Sequence, residues 1–419
     1  MKLTANEIAI LEGKNGKAQQ FAMSLLQSVG EASAADCLIP ISQAHLVGSY
    51  YGGPADIAFL RHLNEMKAKV RVHTTLNACS AELLDRGHYP ADHPEVKDAC
   101  EVVKYYRQMG CAIELTCAPY HLPKIPRFKD NIAWAESNAV VYANSVIGAR
   151  TNKTFQYLDL CAAICGLIPR AGLYLEQNRR ADTICHANDL PSHWLKDDAI
   201  FQLIGYLLGR DEQLGIAVLS GIPAATDDQL RGMGAAAAAA GNIDMFHAVG
   251  ITPEASSLDE ALHNTAAKYE KTLTADMIRQ AYSELAGTGR DDLGAVCIGT
   301  PHFSFAEFDQ LVDLMQGRKI HEGIPFYVST SRHVHRQLTE AGTLESLEAC
   351  GIDIVIDTCT YYGLLVKDMA GVIMTNSVKW AYYAPGNLQV EAKFARLSDC
   401  VESAILGRVT CDRDFWHAA

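Results

Sequence analysis

The stretch that decides the fold is AVCIGTPHFS at residues 295–304, where a short apolar run ends in a Gly-Thr-Pro-His turn. A helical pattern over residues 305–315 follows this turn, and the same arrangement then repeats along the chain. Apolar runs recur at residues 325–328 and 352–356, with a second helical pattern over residues 332–341 between them. Short strands that alternate with helices in this way are typical of parallel α/β sheets.

The same alternation extends toward the N-terminus, which enlarges the predicted α/β fold. Strands are predicted at residues 70–75, 113–116 and 215–219, and a helix is predicted over residues 94–109. The sequence therefore predicts mostly parallel sheets covered by helices, in more than one lobe. A Gly-Ile-Pro turn suggests a domain boundary near residues 220–230.

Composition and charge exclude several classes of protein. The 419 residues are 49% hydrophobic and 20% charged, values that exclude a wholly disordered or fibrous chain. A net charge of −13 argues against a nucleic-acid partner, because phosphate backbones require a basic surface. No apolar run reaches the roughly 20 residues of a membrane-spanning helix. The N-terminus lacks the apolar segment of a signal peptide, and Thr4 and Glu7 instead form a capping-box pattern. We therefore expect a cytoplasmic protein with no membrane partner.

The chain contains 13 cysteines, an odd number that argues against a disulfide framework when no export signal is present. Most of these cysteines are expected to be small buried side chains in the core. Three of them, Cys117, Cys297 and Cys359, stand at or just past the ends of predicted strands. Because ligands bind beyond the carboxyl ends of parallel strands, these three cysteines are the first indication of a functional site.

Three other motifs have a structural explanation that we prefer to a functional one. GMGAAA at residues 232–237 resembles a dinucleotide fingerprint, but it follows a polar stretch instead of a strand, so close helix packing explains it better. His333 and His335 stand at a helix start, where residues two apart point in different directions. Cys161 and Cys165 share one face of an apolar helix, with no second pair nearby to complete a metal site.

Further segments combine polar side chains with tight turns. They are residues 135–153, rich in Asn and Ser, the turn at 297–304, and residues 357–360 and 375–379. Buried polar groups cost free energy unless they are paired, so such segments serve either a ligand or a network of turns. A thiol hydrolase that uses Cys117 or Cys359 with His302 is one chemistry that this composition leaves open.

These segments make the chain similar to the aconitase X family, and specifically to its large catalytic subunit. The motifs that carry the resemblance lie at residues 73–77 (HTTLN), 116–120 (TCAPY), 137–140 (SNAV), 144–152 (NSVIGARTN), 249–254 (VGITPE), 299–304 (GTPHFS), 357–359 (DTC) and 375–379 (TNSVK). The resemblance implies an aconitase-like, multi-lobed fold of α/β/α layers and an enzyme that removes water from a small hydroxy acid at an iron centre.

Two activities are known in this family. One is dehydration of cis-3-hydroxy-L-proline to Δ1-pyrroline-2-carboxylate in hydroxyproline catabolism, and the other is dehydration of mevalonate 5-phosphate. The phosphomevalonate members have a cysteine at the position of Thr300, and they differ from this chain at residues 47–54 (VGSYYGGP). The resemblance therefore favours a hydro-lyase acting on cis-3-hydroxy-L-proline. A mevalonate 5-phosphate dehydratase and a non-catalytic subunit are the alternatives.

The resemblance also implies the residues of the site. An iron–sulfur centre with an open coordination position is expected on Cys117, Cys297 and Cys359, where it acts as a Lewis acid. Because Thr300 replaces a cysteine of the family, the nuclearity stays open and a mononuclear iron is an alternative. Catalytic roles are expected for His302, Lys379 and Ser49. Substrate contacts are expected from a set of polar and basic residues: Ser49, Asn138, Asn144, Arg150, Thr151, Asn152 and Asn376.

The resemblance finally implies a partner chain. In some members a small swivelling domain is fused after the large part, and in others that domain is a separate subunit. Residues 1–419 correspond to the large part, so we expect a heteromeric enzyme with a small swivelling-domain subunit. A serine of that subunit is the expected catalytic base.

Overall fold

A computed structural model of the chain describes residues 1–84, 87–90, 92–287, 289–412 and 414–416. The chain divides into two compact units, Met1–Arg180 and Ala181–Ala419. In the first unit the helices are α1 (Ala5–Leu11), α2 (Lys17–Ala32), α3 (Pro54–Glu65), α4 (Pro94–Met109), α5 (Ser137–Tyr142) and α6 (Leu158–Cys165). Its strands are β1 (Leu38–Pro40), β2 (Gln43–Leu46), β3 (His73–Leu76), β4 (Ala133–Trp134) and β5 (Leu167–Pro169).

In the second unit the helices are α7 (Asp198–Arg210), α8 (Asp227–Ala240), α9 (Leu258–Ala261), α10 (Ala275–Leu285), α11 (Phe305–Met315), α12 (Arg332–Ala341), α13 (Thr343–Ala349), α14 (Val378–Leu388) and α15 (Leu397–Leu406). Its strands are β6 (Thr183–His186), β7 (Ala217–Ser220), β8 (Phe246–Ala248), β9 (Tyr269–Thr272), β10 (Leu293–Phe303), β11 (Phe326–Thr330), β12 (Asp353–Ile356), β13 (Val372–Thr375) and β14 (Glu391–Phe394). Within the described residues, no helix is both long enough and apolar enough to cross a bilayer.

The first unit is built on a small parallel sheet in the order β3-β2-β4, beside an antiparallel pair of β1 and β5. The central strand β2 is buried along its whole length. Helices α2, α3, α4 and α6 contribute fully buried side chains such as Leu26, Leu60, Tyr106 and Leu160 to the core. The strand predicted at residues 113–116 is wrong, because only Leu115 forms a bridge there, to Leu76.

The second unit contains two larger sheets, in the orders β8-β7-β6-β9 and β12-β11-β10-β13-β14. Every ladder in both sheets is parallel. The predicted α/β fold with mostly parallel sheets is therefore confirmed. The boundary predicted near residues 220–230 stays a prediction. Residues 221–226 connect β7 to α8 inside this unit, and β7 pairs with β6 and β8 on its two edges.

Several helices begin where the sequence places a cap. Pro94 occupies the first turn of α4, Ser304 and Glu307 form a capping box at α11, and the Ser331 hydroxyl caps α12. The alanine-rich end of α8 packs closely, as expected. A Cβ atom added at Gly209 of α7 would lie 2.6 Å from the Ala237 carbonyl oxygen of α8, and one added at Gly205 would lie 2.1 Å from the Met233 carbonyl oxygen, so the two backbones touch.

Candidate functional site

The polar segments of the second unit gather at the carboxyl edge of the five-stranded sheet. Strands β10, β12 and β13 end in the segments 299–304, 357–360 and 376–379, and parallel strands end at the same edge. Hydrogen bonds join the segments to one another. The Ser377 hydroxyl donates to the Thr300 carbonyl oxygen. The Trp380 indole nitrogen donates to the Thr360 hydroxyl at 2.9 Å.

His302 is fully buried at this edge, and one hydrogen bond determines its tautomer. Its Nε2 atom lies 3.1 Å from the Thr358 carbonyl oxygen. A carbonyl oxygen can only accept, so in the neutral ring Nε2 carries the proton and Nδ1 keeps its lone pair. A histidine that binds a metal is held in the same way, with its other ring nitrogen donating to a carbonyl or carboxylate.

Cys359 lies next to His302. Its Sγ atom and a ring nitrogen of His302 are within 4.8 Å of each other, and Cys359 is only 1% exposed. The preceding turn is fixed by Asp357, which has a positive φ of 68° and accepts two hydrogen bonds from Arg332 at 2.5 and 2.7 Å. This bidentate ion pair holds the backbone from which Cys359 projects.

Two other predicted residues follow β13 directly. Lys379 is in the first turn of α14 and is only 2% exposed. Asn376 is half-buried two residues before the helix, and its carbonyl oxygen accepts a hydrogen bond from the Gln202 side chain at 2.7 Å. The carboxyl edge therefore holds a buried amine, a buried thiol and a buried imidazole in one unit.

Cys297 does not lie where the sequence suggested. It is inside β10, not at its end, because the ladder resumes after the turn and pairs Phe303 with Thr330. Its thiol packs in an apolar cluster with Ala295, Ile373 and Trp380. Burial raises the pKa of Cys297 to about 12, an effect that a hydrogen bond with Thr360 opposes. The expected role of Cys297 as an iron ligand stays a prediction.

Cys117 belongs to the first unit and is buried in a polar network. Its carbonyl oxygen accepts a hydrogen bond at 3.0 Å from Asn138, whose amide oxygen accepts one from Tyr120 at 2.5 Å. Asn138 also donates to the Glu136 carboxylate, and that carboxylate caps α5. The network holds the backbone of Cys117 rigidly, and the amide of Asn138 is used by the protein itself.

Two hydrogen bonds join the side-chain amide of Asn144 to the backbone of Thr151. The Asn144 nitrogen donates to the Thr151 carbonyl at 3.0 Å, and the Thr151 N–H donates to the Asn144 oxygen at 3.1 Å. Arg179 is fully buried and donates to the Asn144 side chain and to the Ala149 carbonyl. The sequence reasoning missed Arg179, because no local motif marks a residue that acts on a segment 30 positions earlier.

The remaining predicted residues of the first unit also bind their own chain. Arg150 forms an ion pair with Glu176, and the Asn152 amide bonds to the backbone of Ala171 and Leu173. Ser49 is buried and donates to the Asn77 carbonyl at 2.6 Å. These bonds within the chain do not indicate a ligand, so the substrate contacts predicted for these side chains stay predictions.

The donor set at the carboxyl edge fits iron. A thiol and an imidazole are ligand types that iron accepts, and both are shielded from water here. The Thr300 hydroxyl oxygen is buried on the same turn with no hydrogen-bond partner among the residues described. A buried polar atom of this kind needs an explanation, and a neighbouring bound group supplies one.

Family models account for nearly the whole chain in three successive pieces. The aconitase X first domain matches residues 1–177, the second domain matches residues 182–283 and the third domain matches residues 293–406. These limits agree with the division of the structure after Arg180.

Individual relatives are similar over almost all of the chain. A cis-3-hydroxy-L-proline dehydratase of Pseudomonas aeruginosa is 37% identical, and the match covers 99% of this chain and 72% of that protein. The enzyme of the same name from Hypocrea jecorina is 34% identical, and the match covers 97% of this chain and 69% of that protein. The phosphomevalonate dehydratase large subunit of Methanocaldococcus jannaschii is 32% identical, covering 96% and 100%.

A solved structure agrees with these relatives. The crystal structure of Thermococcus kodakaraensis aconitase X in its holo-form superposes with a TM-score of 0.86 at 32% sequence identity. The superposition covers 96% of this chain and 100% of the other.

Proposed function

The chain belongs to the aconitase X family, and we propose that it is a hydro-lyase that dehydrates cis-3-hydroxy-L-proline to Δ1-pyrroline-2-carboxylate. Two of the similar proteins carry that activity in their names, at 37% and 34% identity. The observation that carries the proposal is the pairing of Cys359 with His302 at the carboxyl edge. That pairing supplies a buried thiol and a buried imidazole where a parallel sheet binds its ligands.

We propose Cys359 and His302 of the second unit as iron ligands, with Cys117 of the first unit as the third, the last carried over from the family resemblance. The tautomer of His302 supports a ligand role through Nδ1 better than a role as proton donor. When bound, iron supplies a Lewis acid that withdraws charge from the leaving hydroxyl or the substrate carboxylate. Both a mononuclear iron and an iron–sulfur cluster are compatible with these donors.

The chain's own residues prepare the substrate for loss of water. We assign Lys379 to the substrate carboxylate, because a cation buried to 2% exposure attracts an anion more strongly than one in water. Neutralising the carboxylate lowers the cost of the negative charge that develops on it when the α-proton leaves. We propose that Asn376, whose carbonyl is held by Gln202, orients the same group. Ser49 stays a predicted contact from the first unit.

A second chain is part of the proposal. The phosphomevalonate dehydratase relatives are named as large subunits, which supports a small partner subunit for this chain as well. We propose that this partner carries the swivelling domain and supplies the base that removes the α-proton. We also propose a cytoplasmic location.

The test is an assay of the chain prepared without oxygen together with its small subunit. We expect the imine product to form from cis-3-hydroxy-L-proline and not from trans-4-hydroxy-L-proline, which has no hydroxyl β to the carboxylate. The chain alone should be almost inactive. Absence of product from the complete complex, with iron present, would overturn the proposed activity.

Mevalonate 5-phosphate is the second candidate substrate. One observation favours it: a phosphomevalonate dehydratase large subunit is 32% identical over 96% of this chain, close to the identity of the hydroxyproline enzymes. A phosphate substrate needs additional cations in the pocket. Product from mevalonate 5-phosphate alone, in the same preparation, would replace the first proposal with this one.

A further inference from the structure

The glycine- and alanine-rich stretch of α8 is a motif that the proposed function leaves unexplained. It lets α8 lie against α7 with their backbones in contact, as the 2.1 Å approach at Gly205 requires. Two helices packed this closely cannot slide without a steric clash. Side chains in the N-terminal halves of the two helices are therefore held at fixed positions. Two of them, Arg231 and Gln202, reach the carboxyl edge of the five-stranded sheet.

Arg231 binds the turn that carries His302. Its Nη1 atom donates to the His302 carbonyl oxygen at 2.7 Å. Its Nη2 atom pairs with the Glu307 carboxylate at 2.5 Å and lies 3.4 Å from Asp228. The guanidinium is 4% exposed, so these charged contacts form in a region that water does not screen.

The partners of Arg231 close the network on the other side of the same turn. Glu307 accepts a hydrogen bond from the Ser304 N–H at 2.8 Å, and the Ser304 hydroxyl donates to Asp228 at 2.7 Å. Arg231 and Asp228 both lie on α8, while Ser304 directly follows β10. The turn from His302 to Ser304 is therefore bound to α8 at its carbonyl and its hydroxyl, while its amide is bound to Glu307 of α11, the ion-pair partner of Arg231.

Gln202 binds the neighbouring loop in the same manner. Its amide nitrogen donates to the Asn376 carbonyl at 2.7 Å, and its amide oxygen accepts from the Val378 N–H at 2.9 Å. Gly232 of α8 makes room for it, since a Cβ there would lie 3.1 Å from the Gln202 Cγ. These two hydrogen bonds hold the backbone from Asn376 to Val378, directly before Lys379.

We infer that Arg231 and Gln202 are positioning residues, which hold the His302 turn and the Lys379 loop in the geometry that dehydration requires. This inference rests on the proposed function in naming dehydration as the reaction, whereas the contacts of Arg231 and Gln202 are independent of it. Rigid support matters because a displacement of about 1 Å at a reacting group lowers a rate roughly 100-fold. The α7–α8 pair thus acts on the site through the backbone of these two segments.

The test compares two near-isosteric changes with two matched surface controls. Arg231→Lys keeps the charge but loses the fork that reaches three acceptors at once. Gln202→Glu keeps the acceptor for Val378 and loses the donor to Asn376. The controls are Arg210→Lys, whose side chain is 55% exposed, and Gln337→Glu on the exposed face of α12.

Two readouts separate positioning from general stability. Hydrogen exchange should rise at least about tenfold in residues 299–304 for Arg231→Lys and in residues 376–379 for Gln202→Glu, with the rest of the second unit unchanged. In the complete complex, kcat should fall about 10- to 100-fold while KM stays within about threefold. Both controls should match the wild type.

The inference is overturned if exchange in both segments stays at the wild-type level, or if it rises uniformly through the unit with a matching loss of thermal stability. The outcome is independent of the substrate. If the wild-type complex dehydrates neither candidate substrate, the proposed function fails, and the exchange experiment still decides whether Arg231 and Gln202 hold these segments.

Discussion

The asparagine-rich segment of the first unit and the Gly-Thr-Pro-His turn of the second unit are both rich in buried polar side chains, but they use their polar atoms differently. In the asparagine-rich segment, the amides of Asn138 and Asn144 bond to the backbone of their own unit. At the turn, the buried hydroxyls of Thr300 and of Ser329 on the adjacent strand have no hydrogen-bond partner among the residues described. A cluster of buried polar residues therefore marks either a framework or a binding site, and the unpaired atoms, which in the asparagine-rich segment include Arg150 Nε, indicate where within a cluster a ligand would bind.

The largest expected effect is a loss of bound iron when a cysteine at the binding site is replaced. Cys359→Ser should remove most of the iron from protein prepared without oxygen, because a serine hydroxyl is a harder and far less acidic donor than a thiol. Activity should fall with it. Iron content per chain, measured with the absorption spectrum, is the readout.

Cys297→Ser is the matched control, since its thiol is equally buried but packs in the apolar cluster of β10. We expect it to retain iron and to lose about 1–2 kcal/mol of stability from the buried hydroxyl. Iron loss in the Cys297 variant, with iron kept in the Cys359 variant, would reverse the assignment of ligands.

Local signals in the sequence were enough for much of the fold. The helices at Pro94–Met109, Phe305–Met315 and Arg332–Ala341 match the predicted ranges, because a proline or a capping serine marks where each begins. The strand predicted at residues 113–116 was wrong, because an alternating apolar pattern does not show whether a neighbouring strand is present to pair with it.

The site was predictable only in part, for a similar reason. His302, Cys359 and Lys379 stand in or just after turns at strand ends, which the sequence displays, and the parallel sheet then brings them to one edge. Arg231 and Gln202 act through contacts with residues 71 and 174 positions away, and no local pattern encodes such contacts. Cys297 lies inside β10 and not at its end, because the apolar run hides that the strand continues to Phe303.

The framework role of the first unit predicts a large loss of stability from a single amide. Asn144→Ala removes both bonds to Thr151 and the acceptor of Arg179, which leaves buried backbone groups and a buried charge less satisfied. We expect the free energy of unfolding to fall by about 3–5 kcal/mol. Urea denaturation measures it, with Asn178→Ala, whose exposed amide bonds to the Gly172 carbonyl, as control. A loss no greater than that of the control would show that the segment is not a framework.

The buried polar side chains of the first unit also predict that the free energy of unfolding depends on pH. His45 is fully buried on β2 with its Nδ1 atom 2.8 Å from the Thr75 hydroxyl, and burial lowers its pKa from 6.5 to about 4. Between these two values the unfolded chain binds a proton at this histidine and the folded chain does not. The free energy of unfolding therefore falls as the pH is lowered from 6.5 to 4, by about 3 kcal/mol for this one group.

Other groups also titrate over this range, so the difference between variants carries the prediction. His45→Gln keeps a polar side chain near Thr75 but cannot take up the proton, so its stability should fall less steeply between pH 6.5 and 4 than that of the wild type. His62→Gln, at an exposed position of α3, should leave the slope unchanged. Parallel curves for wild type and His45→Gln would mean that the first unit accommodates a charge at this position, and that its polar interior is less closed than the Asn138 and Asn144 networks indicate.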